Sequence, residues 1–202
     1  MTPRITRRGP LAIAALAAAA AAAVLVAFVL PAHPPAQAPA QAFPALVPAA
    51  APASWPQATL PDRTAVLSYP PGLRPIHGDR GTVSAARLGP HGSYLLYLNA
   101  TPRQGAENLQ NWAAFRQRLL RADEAASAHL DAGAERLKFR GGTGSCVIDD
   151  YITKIGGHHY EEIACLVQGR SGASVIVGAA PAAQWIQAGP LLERAVAAYL
   201  VR

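Results

Sequence analysis

The chain has 202 residues, of which 51% are hydrophobic, and its 18 basic and 12 acidic residues give a net charge of +6. Half of this excess lies in Arg4, Arg7 and Arg8, and the remainder has no basic patch of the kind that binds nucleic acid. Neither a G-x-S-x-G nor a Walker A motif occurs, so the sequence carries no catalytic signature.

Residues 11–30 form an uninterrupted apolar run, LAIAALAAAAAAAVLVAFVL. A helix of this length would be roughly 30 Å long, which matches the hydrocarbon core of a bilayer. Because the basic segment 1–10 precedes it, the positive-inside rule predicts a cytoplasmic N-terminus and an extracytoplasmic remainder. We interpret the run as a single-pass signal anchor. The alternative is a cleaved secretory signal with Ala38 and Ala40 at the cleavage site, and both interpretations export the domain.

Residues 31–61 are predicted to form a linker. They contain nine prolines and eleven alanines and no charged residue. Prolines at this density disfavour helix and sheet, so a semi-rigid, partly polyproline II spacer is expected. Phe43, Val47 and Trp55 offer points for docking, but a solvated stalk is the favoured interpretation. The remaining segment, 62–202, is long enough for one domain with its own core.

The first half of this domain is predicted to contain three strands, at 64–69, 82–88 and 93–98, followed by a helix over 106–128. The helix has one apolar arc, as expected of a helix that packs on a sheet, made of Leu109, Trp112, Ala113, Phe115, Leu119 and Leu120. Arg116 falls inside this arc. Its stem is expected to lie on apolar surface with its head in solvent, and a buried ion pair is the alternative.

The second half is predicted to contain a short strand at 135–139, a hairpin of strands 145–154 and 159–168, and a buried strand at 173–179. Gly156 and Gly157 are expected to form the hairpin turn. A last helical region begins at Pro181, with Pro190 near the first turn of its main helix. Strands linked mostly by hairpins, with two main helices, indicate an α+β domain with an antiparallel sheet.

This arrangement resembles the PsbP-like fold, which the extrinsic photosystem II protein shares with exported actinobacterial LpqN-type lipoproteins. The resemblance covers residues 62–202 and rests on SYPPGL at 68–73, the helix with Trp112, the hairpin 146–167, and VIVGAAPAAQW at 175–185 leading into LLERAVAAYLV at 191–201. It implies a non-enzymatic binding or assembly factor with no cofactor. No cysteine closely follows the apolar run, so that run would replace the lipid anchor of the lipoproteins.

Cys146 and Cys165 both lie on the predicted hairpin. With a two-residue turn at Gly156 and Gly157, Cys146 lies opposite Val167, and Cys165 is its diagonal neighbour on the same face. A bulge at His158 and His159 would bring the cysteines directly opposite each other. In an exported domain such a pair is expected to form a structural disulfide. Two buried thiols or a redox-active pair are the alternatives.

The hairpin end gathers His158, His159, Glu161 and Glu162, with Asp149 and Asp150 on the partner strand. His158, His159 and Glu161 are the weak candidates for zinc ligands, since zinc binds nitrogen and oxygen donors. Lys154 on the same face argues against a metal, and a solvated hairpin end of mixed charge is the favoured interpretation.

The sequence therefore predicts a membrane-tethered extracytoplasmic module that binds an envelope protein, a peptide or a small ligand through its sheet or a cleft beside the helices. No catalytic residue, cofactor, metal or nucleic-acid partner is expected. The alternatives are a hydrolase or metal-dependent enzyme that uses the hairpin end at His158 and His159, and a structural envelope component. A polar pocket with convergent histidines and carboxylates would favour an enzyme.

Overall fold

The computed structural model describes residues 43–202. The predicted basic N-terminus 1–10, the signal anchor 11–30 and residues 31–42 of the linker lie outside the described residues. Among residues 43–202, no helix has the length and apolar character needed to cross a membrane.

The described residues form an α+β fold with antiparallel strand pairing, as predicted, but the strands make two sheets rather than the one expected. The strands are β1 (Gln57–Thr59), β2 (Ala65–Ser68), β3 (Arg74–Ile76), β4 (Val83–Leu88), β5 (Tyr94–Pro102), β6 (Ala125–Phe139), β7 (Gly142–Thr153), β8 (His159–Gln168), β9 (Ala173–Pro181) and β10 (Leu200–Val201). The helices are α1 (Trp112–Leu119) and α2 (Trp185–Ala197). The large sheet has the order β3-β4-β5-β9-β8-β7-β6, and the small sheet has the order β1-β2-β10.

The two faces of the large sheet are covered differently. Side chains alternate along β8, so Ile163 and Cys165 face the main core, which contains Leu192 of α2. Ala164 and Leu166 face the other way and pack with Trp112 of α1. We call the side of α2 the core face and the side of α1 the groove face.

The hairpin register differs from the prediction by two residues. Cys146 pairs directly with Cys165, and the two are joined by a disulfide bond, which confirms that bond. The connection is a four-residue loop, 154–157, because the Thr153 N–H donates to the carbonyl of His158 and closes the ladder there. Gly156 and Gly157 both have positive φ in this loop, so glycine suits both positions.

The predicted helix over 106–128 is much shorter in the structure. Helix α1 spans Trp112–Leu119 and continues for one π-helical turn at Leu120–Glu124. Upstream, the side chains of Asn108 and Asn111 hydrogen-bond to backbone groups of the loop, which competes with helix formation.

Downstream, Ala125 begins β6, whose fifteen residues pair with β7 along their length. This pairing outweighs the helix propensity of the alanine-rich segment. The predicted short strand 135–139 is the end of β6.

The second half of the predicted linker is part of the fold. Phe43, Leu46 and Leu60 are buried in the main core, and the Ala45 N–H donates to the Glu193 carboxylate at 2.8 Å. The structure therefore differs from a solvated stalk over 43–60. The apolar side chains between the prolines find a hydrophobic surface beside α2, and burying them favours docking.

Pro190 lies inside α2 rather than in its first turn. The carbonyl that loses its partner belongs to Ile186, whose side chain is exposed on the solvent side of the helix, where water can replace the missing bond. The side chains of Leu192, Val196 and Tyr199 are fully buried.

Candidate functional site

Helix α1 contacts β6, β7 and β8 and leaves the groove face open over β5 and β9. Two adjoining cavities of about 440 Å³ and about 560 Å³ occupy this open region. They share Tyr97, Glu124, Tyr151 and Ala179 in their walls. We call the two together the groove. Its size and its mixture of aromatic and polar walls are typical of a ligand-binding site.

A buried ion pair lies at the base of the groove beneath α1. The Arg116 Nε donates to Glu162 Oε1 at 2.7 Å, and its Nη2 donates to Oε2 at 2.8 Å. Arg116 is 6% exposed and Glu162 is 1% exposed. Burial alone would lower the pKa of Arg116, but the charge of Glu162 and the hydrogen bonds to it prevail and raise that pKa. The guanidinium is therefore a fixed cation whose planar fork holds Glu162 in one orientation.

A second acid lies directly opposite Glu162 on the neighbouring strand. Asp149 is fully buried and its Oδ1 accepts a hydrogen bond from Gln117 Nε2 at 2.7 Å. Its Oδ2 has no hydrogen-bond partner among the described residues. Burial, and then the charge of Glu162, raise the pKa of Asp149 to about 7. Two carboxylates and one guanidinium thus form a cluster in which Asp149 exchanges a proton near neutral pH.

Four tyrosines line the end of the groove nearest the β7–β8 hairpin. The rings of Tyr94 and Tyr97 lie 5.2 Å apart, and those of Tyr151 and Tyr160 lie 6.0 Å apart. The Tyr160 hydroxyl donates to the Tyr94 carbonyl at 3.2 Å, which links the two pairs. Burial raises the pKa of Tyr151, so its hydroxyl stays protonated. These rings form an apolar wall in which the Tyr151 hydroxyl remains a donor.

Two glutamates complete the walls. Glu107, in the loop before α1, is buried and accepts a hydrogen bond from the Gln104 N–H at 2.8 Å. Glu124 ends the π-helical turn after α1 and lies 3.9 Å from Arg116 Nη1. Burial raises the pKa of Glu124, and the charge of Arg116 partly offsets this.

The histidines singled out in the sequence do not join this site. His159 lies on the core-face side of β8, where its Nε2 is 2.6 Å from Asp150 Oδ2, and neither His158 nor His159 lines the groove. Burial, followed by the charges of Asp131 and Asp150, raises the pKa of Glu161 to about 7. No group of three or more His, Cys, Asp or Glu side chains within 43–202 has the geometry of a metal site.

The expectation for Arg116 was wrong, since its head is buried rather than solvated. The alternation of side chains along β8 could have predicted Glu162 as the partner of Arg116. Glu162 and Cys165 lie on opposite faces of β8, so Glu162 lies on the face that α1 covers. Arg116 in the apolar arc of α1 and Glu162 on the groove face of β8 carry opposite charges, so they can form an ion pair. Asp149 lies on the groove face of β7, opposite Glu162.

The comparisons with known proteins identify the fold. No family model matches the chain, and no curated protein matches it. Among solved structures, the solution structure of cyanobacterial PsbP (CyanoP) from Synechocystis is similar over 75% of this chain and 95% of its own, with 14% identity and a TM-score of 0.52. The described part of the chain therefore has a PsbP-like α+β fold, and the resemblance drawn from the sequence is confirmed at the level of the fold.

Two further solved structures are similar with lower scores. A Pseudomonas aeruginosa protein of unknown function matches 73% of this chain and 97% of its own, with 10% identity and a TM-score of 0.48. LpqN of Mycobacterium tuberculosis, which is involved in cell envelope biogenesis, matches 73% of this chain and 90% of its own, with 11% identity and a TM-score of 0.43.

Proposed function

We propose that this protein is a non-enzymatic binding module of the bacterial cell envelope, held at the cell membrane by residues 11–30 with its folded domain on the extracytoplasmic side. The groove is the proposed ligand site, and the ligand is an envelope protein, a peptide or a small molecule. The observation that carries the proposal is the continuous groove of aromatic and carboxylate side chains on the open face of the sheet.

Two further observations support this proposal. The Cys146–Cys165 disulfide is suited to an oxidising compartment, as expected of an exported domain. The residues that line the groove include no histidine, cysteine or serine, and Arg116 is already bound to Glu162. These walls offer aromatic, carboxylate and amide side chains to a ligand.

The membrane tether is tested by extracting native membranes with alkaline carbonate and determining the intact mass of the chain. We expect a full-length mass in the membrane pellet and protease sensitivity of the domain only from the extracytoplasmic side. A chain shortened after residue 30 and released in soluble form would contradict the anchor and support the cleaved signal.

The groove is tested by photo-crosslinking in native cells. A photoreactive amino acid replaces Ile155, which is 89% exposed at the rim of the groove, or Ile186, which is 92% exposed on α2. We expect a specific adduct from position 155 that is absent at 186. Ala179→Leu, which fills the floor shared by both cavities, should abolish that adduct. Equal labelling at both positions, or labelling that persists in Ala179→Leu, would contradict a ligand site in the groove.

A further inference from the structure

The charge of the groove is opposite to that of the chain. Five carboxylates line it, those of Asp79, Glu107, Asp123, Glu124 and Glu162, against two cationic side chains. Both cations already have partners: Arg116 binds Glu162, and Lys154 Nζ donates to the Ala122 carbonyl. The chain as a whole carries a net charge of +6, so this local excess of negative charge has the opposite sign to the net charge of the chain.

One of these carboxylates is buried without a full set of partners. Glu107 is 4% exposed and lines the cavity of about 440 Å³, and its Oε2 accepts no hydrogen bond from any described residue. Leaving a buried carboxylate oxygen unsatisfied is costly, so a hydrogen-bond donor that reaches this oxygen, from a ligand or from water, would be stabilising. A Cβ at Gly105 would lie 2.8 Å from this oxygen, so the glycine leaves room for the carboxylate in that position.

The other end of the groove carries the four tyrosines. The faces of aromatic rings attract cations, and pairs of rings around an ammonium group are a common way to bind it. Tyr97 and Tyr151 line both cavities and lie beside the shared Glu124. A single extended ligand can therefore contact the buried carboxylate at one end and the aromatic rings at the other.

We propose that the groove binds an organic cation, a ligand with ammonium or guanidinium groups spaced along a flexible chain. One cationic group binds Glu107, and another lies among the tyrosines beside Glu124. The same chemistry is offered by a free polyamine and by the lysine or arginine side chains of an extended peptide. This inference rests on the proposed function, since it names the ligand class of the same groove.

The test is isothermal titration of the full chain in an uncharged polyoxyethylene detergent at low ionic strength. The probes are spermidine, a blocked Lys-Gly-Gly-Lys peptide, and octanediol as an uncharged chain. We expect saturable binding of at least one cation and none of octanediol. Affinity should fall several-fold when salt is raised, because the groove is open to solvent. Preference for spermidine or for the peptide distinguishes the two sources.

Matched variants locate the binding. Glu107→Gln and Glu124→Gln each remove one negative charge from the groove with little change of shape, and each should weaken cation binding about tenfold, equivalent to one lost ion pair. Glu135→Gln removes an exposed charge on β6 outside the groove and should leave affinity unchanged. Thermal melting of each variant checks that the fold is intact.

Three outcomes would overturn the inference: neither cation binds, octanediol binds as tightly as spermidine, or the two groove variants bind cations like the parent chain. The proposed function has a separate test in the Ile155 crosslink and its loss in Ala179→Leu. A crosslink that behaves as expected in a chain that binds no cation would reject the cationic ligand and leave the binding module standing.

Discussion

Alternate residues of the same strands form the two faces of the large sheet, and these faces differ in what they bury. The core face is closed by α2, the small sheet and the segment 43–60, and its centre is apolar with a disulfide. The groove face is only partly covered, by the eight residues of α1 and its flanking loops, and beneath α1 it buries Arg116, Asp149 and Glu162. Burying a charge costs desolvation energy that pairing offsets only in part, so the groove face is the less stabilising of the two.

The core face mainly provides stability, whereas the groove face carries the proposed binding site. Removing apolar volume or the crosslink on the core face should reduce stability and leave the shape of the groove intact. Removing charge on the groove face should alter both the stability and the shape of the groove, because the ion pair holds α1 against the sheet.

The largest effect is expected from breaking the Arg116–Glu162 pair. Arg116→Met should lower the free energy of unfolding by about 3–5 kcal/mol, because it leaves Glu162 buried beside Asp149 without a cation. The measurement is urea unfolding followed by tryptophan fluorescence.

The matched control is the double variant Arg116→Met with Glu162→Leu. It removes both charges and should recover most of the lost stability. If the single and double variants are equally unstable, the loss comes from packing of the arginine stem rather than from the unpaired carboxylate.

On the core face, removing the disulfide is expected to have the next largest effect. Cys146 and Cys165 are 19 residues apart, and closing a loop of this size stabilises by about 3 kcal/mol in the chain-entropy model. Replacing both with alanine should lower the unfolding free energy by that order and leave ligand binding in the groove unchanged. Loss of binding in a variant that is still folded would show that the two faces are coupled.

The sequence predicts the core face better than the groove face. The strand composition of the segments that become β2, β4, β8 and β9 is a local signal, and the period of two along the hairpin correctly puts Cys146 and Cys165 on one face. The length of the hairpin loop does not follow from its two glycines, since the side chain and backbone of Thr153 close the ladder two residues earlier than a Gly-Gly turn would.

The groove face depends on contacts between segments that are far apart in the sequence, so no single segment predicts it. The alanine-rich segment after α1 becomes β6 only because β7 is available to pair with it. The partner of Arg116 is 46 residues away, and finding it requires knowing which face α1 covers. The tyrosines that line the groove lie on β5, β7 and β8, so their proximity emerges only from the strand order.

A smaller effect is expected from Asp149, and it depends on pH. Its pKa is raised to about 7, above the value of about 3.9 in an unfolded chain. The folded state therefore holds an extra proton between these values, and stability from this group is present at low pH and lost as the pH rises toward 7. Asp149→Asn should flatten this decline and raise stability at pH 7.5 by on the order of 1–3 kcal/mol.

The measurement for Asp149 is the unfolding free energy of the parent and the variant at several pH values between 4 and 8. Glu124 and Glu161 also have raised pKa values and are common to both chains, so the difference between the two curves isolates Asp149. Parallel curves would mean that Asp149 is ionised throughout this range.

The smallest effect is expected where the segment 43–60 closes the core face. Glu193 accepts the Ala45 N–H at 2.8 Å, and Glu193→Ala removes this acceptor at a cost of about 1 kcal/mol. Because Phe43 and Leu60 remain in the core, the segment should loosen without unfolding the sheet. Hydrogen exchange should accelerate over 43–60 and stay unchanged in β7 and β8. Uniform acceleration across the chain would instead mean that this segment and the large sheet unfold as one unit.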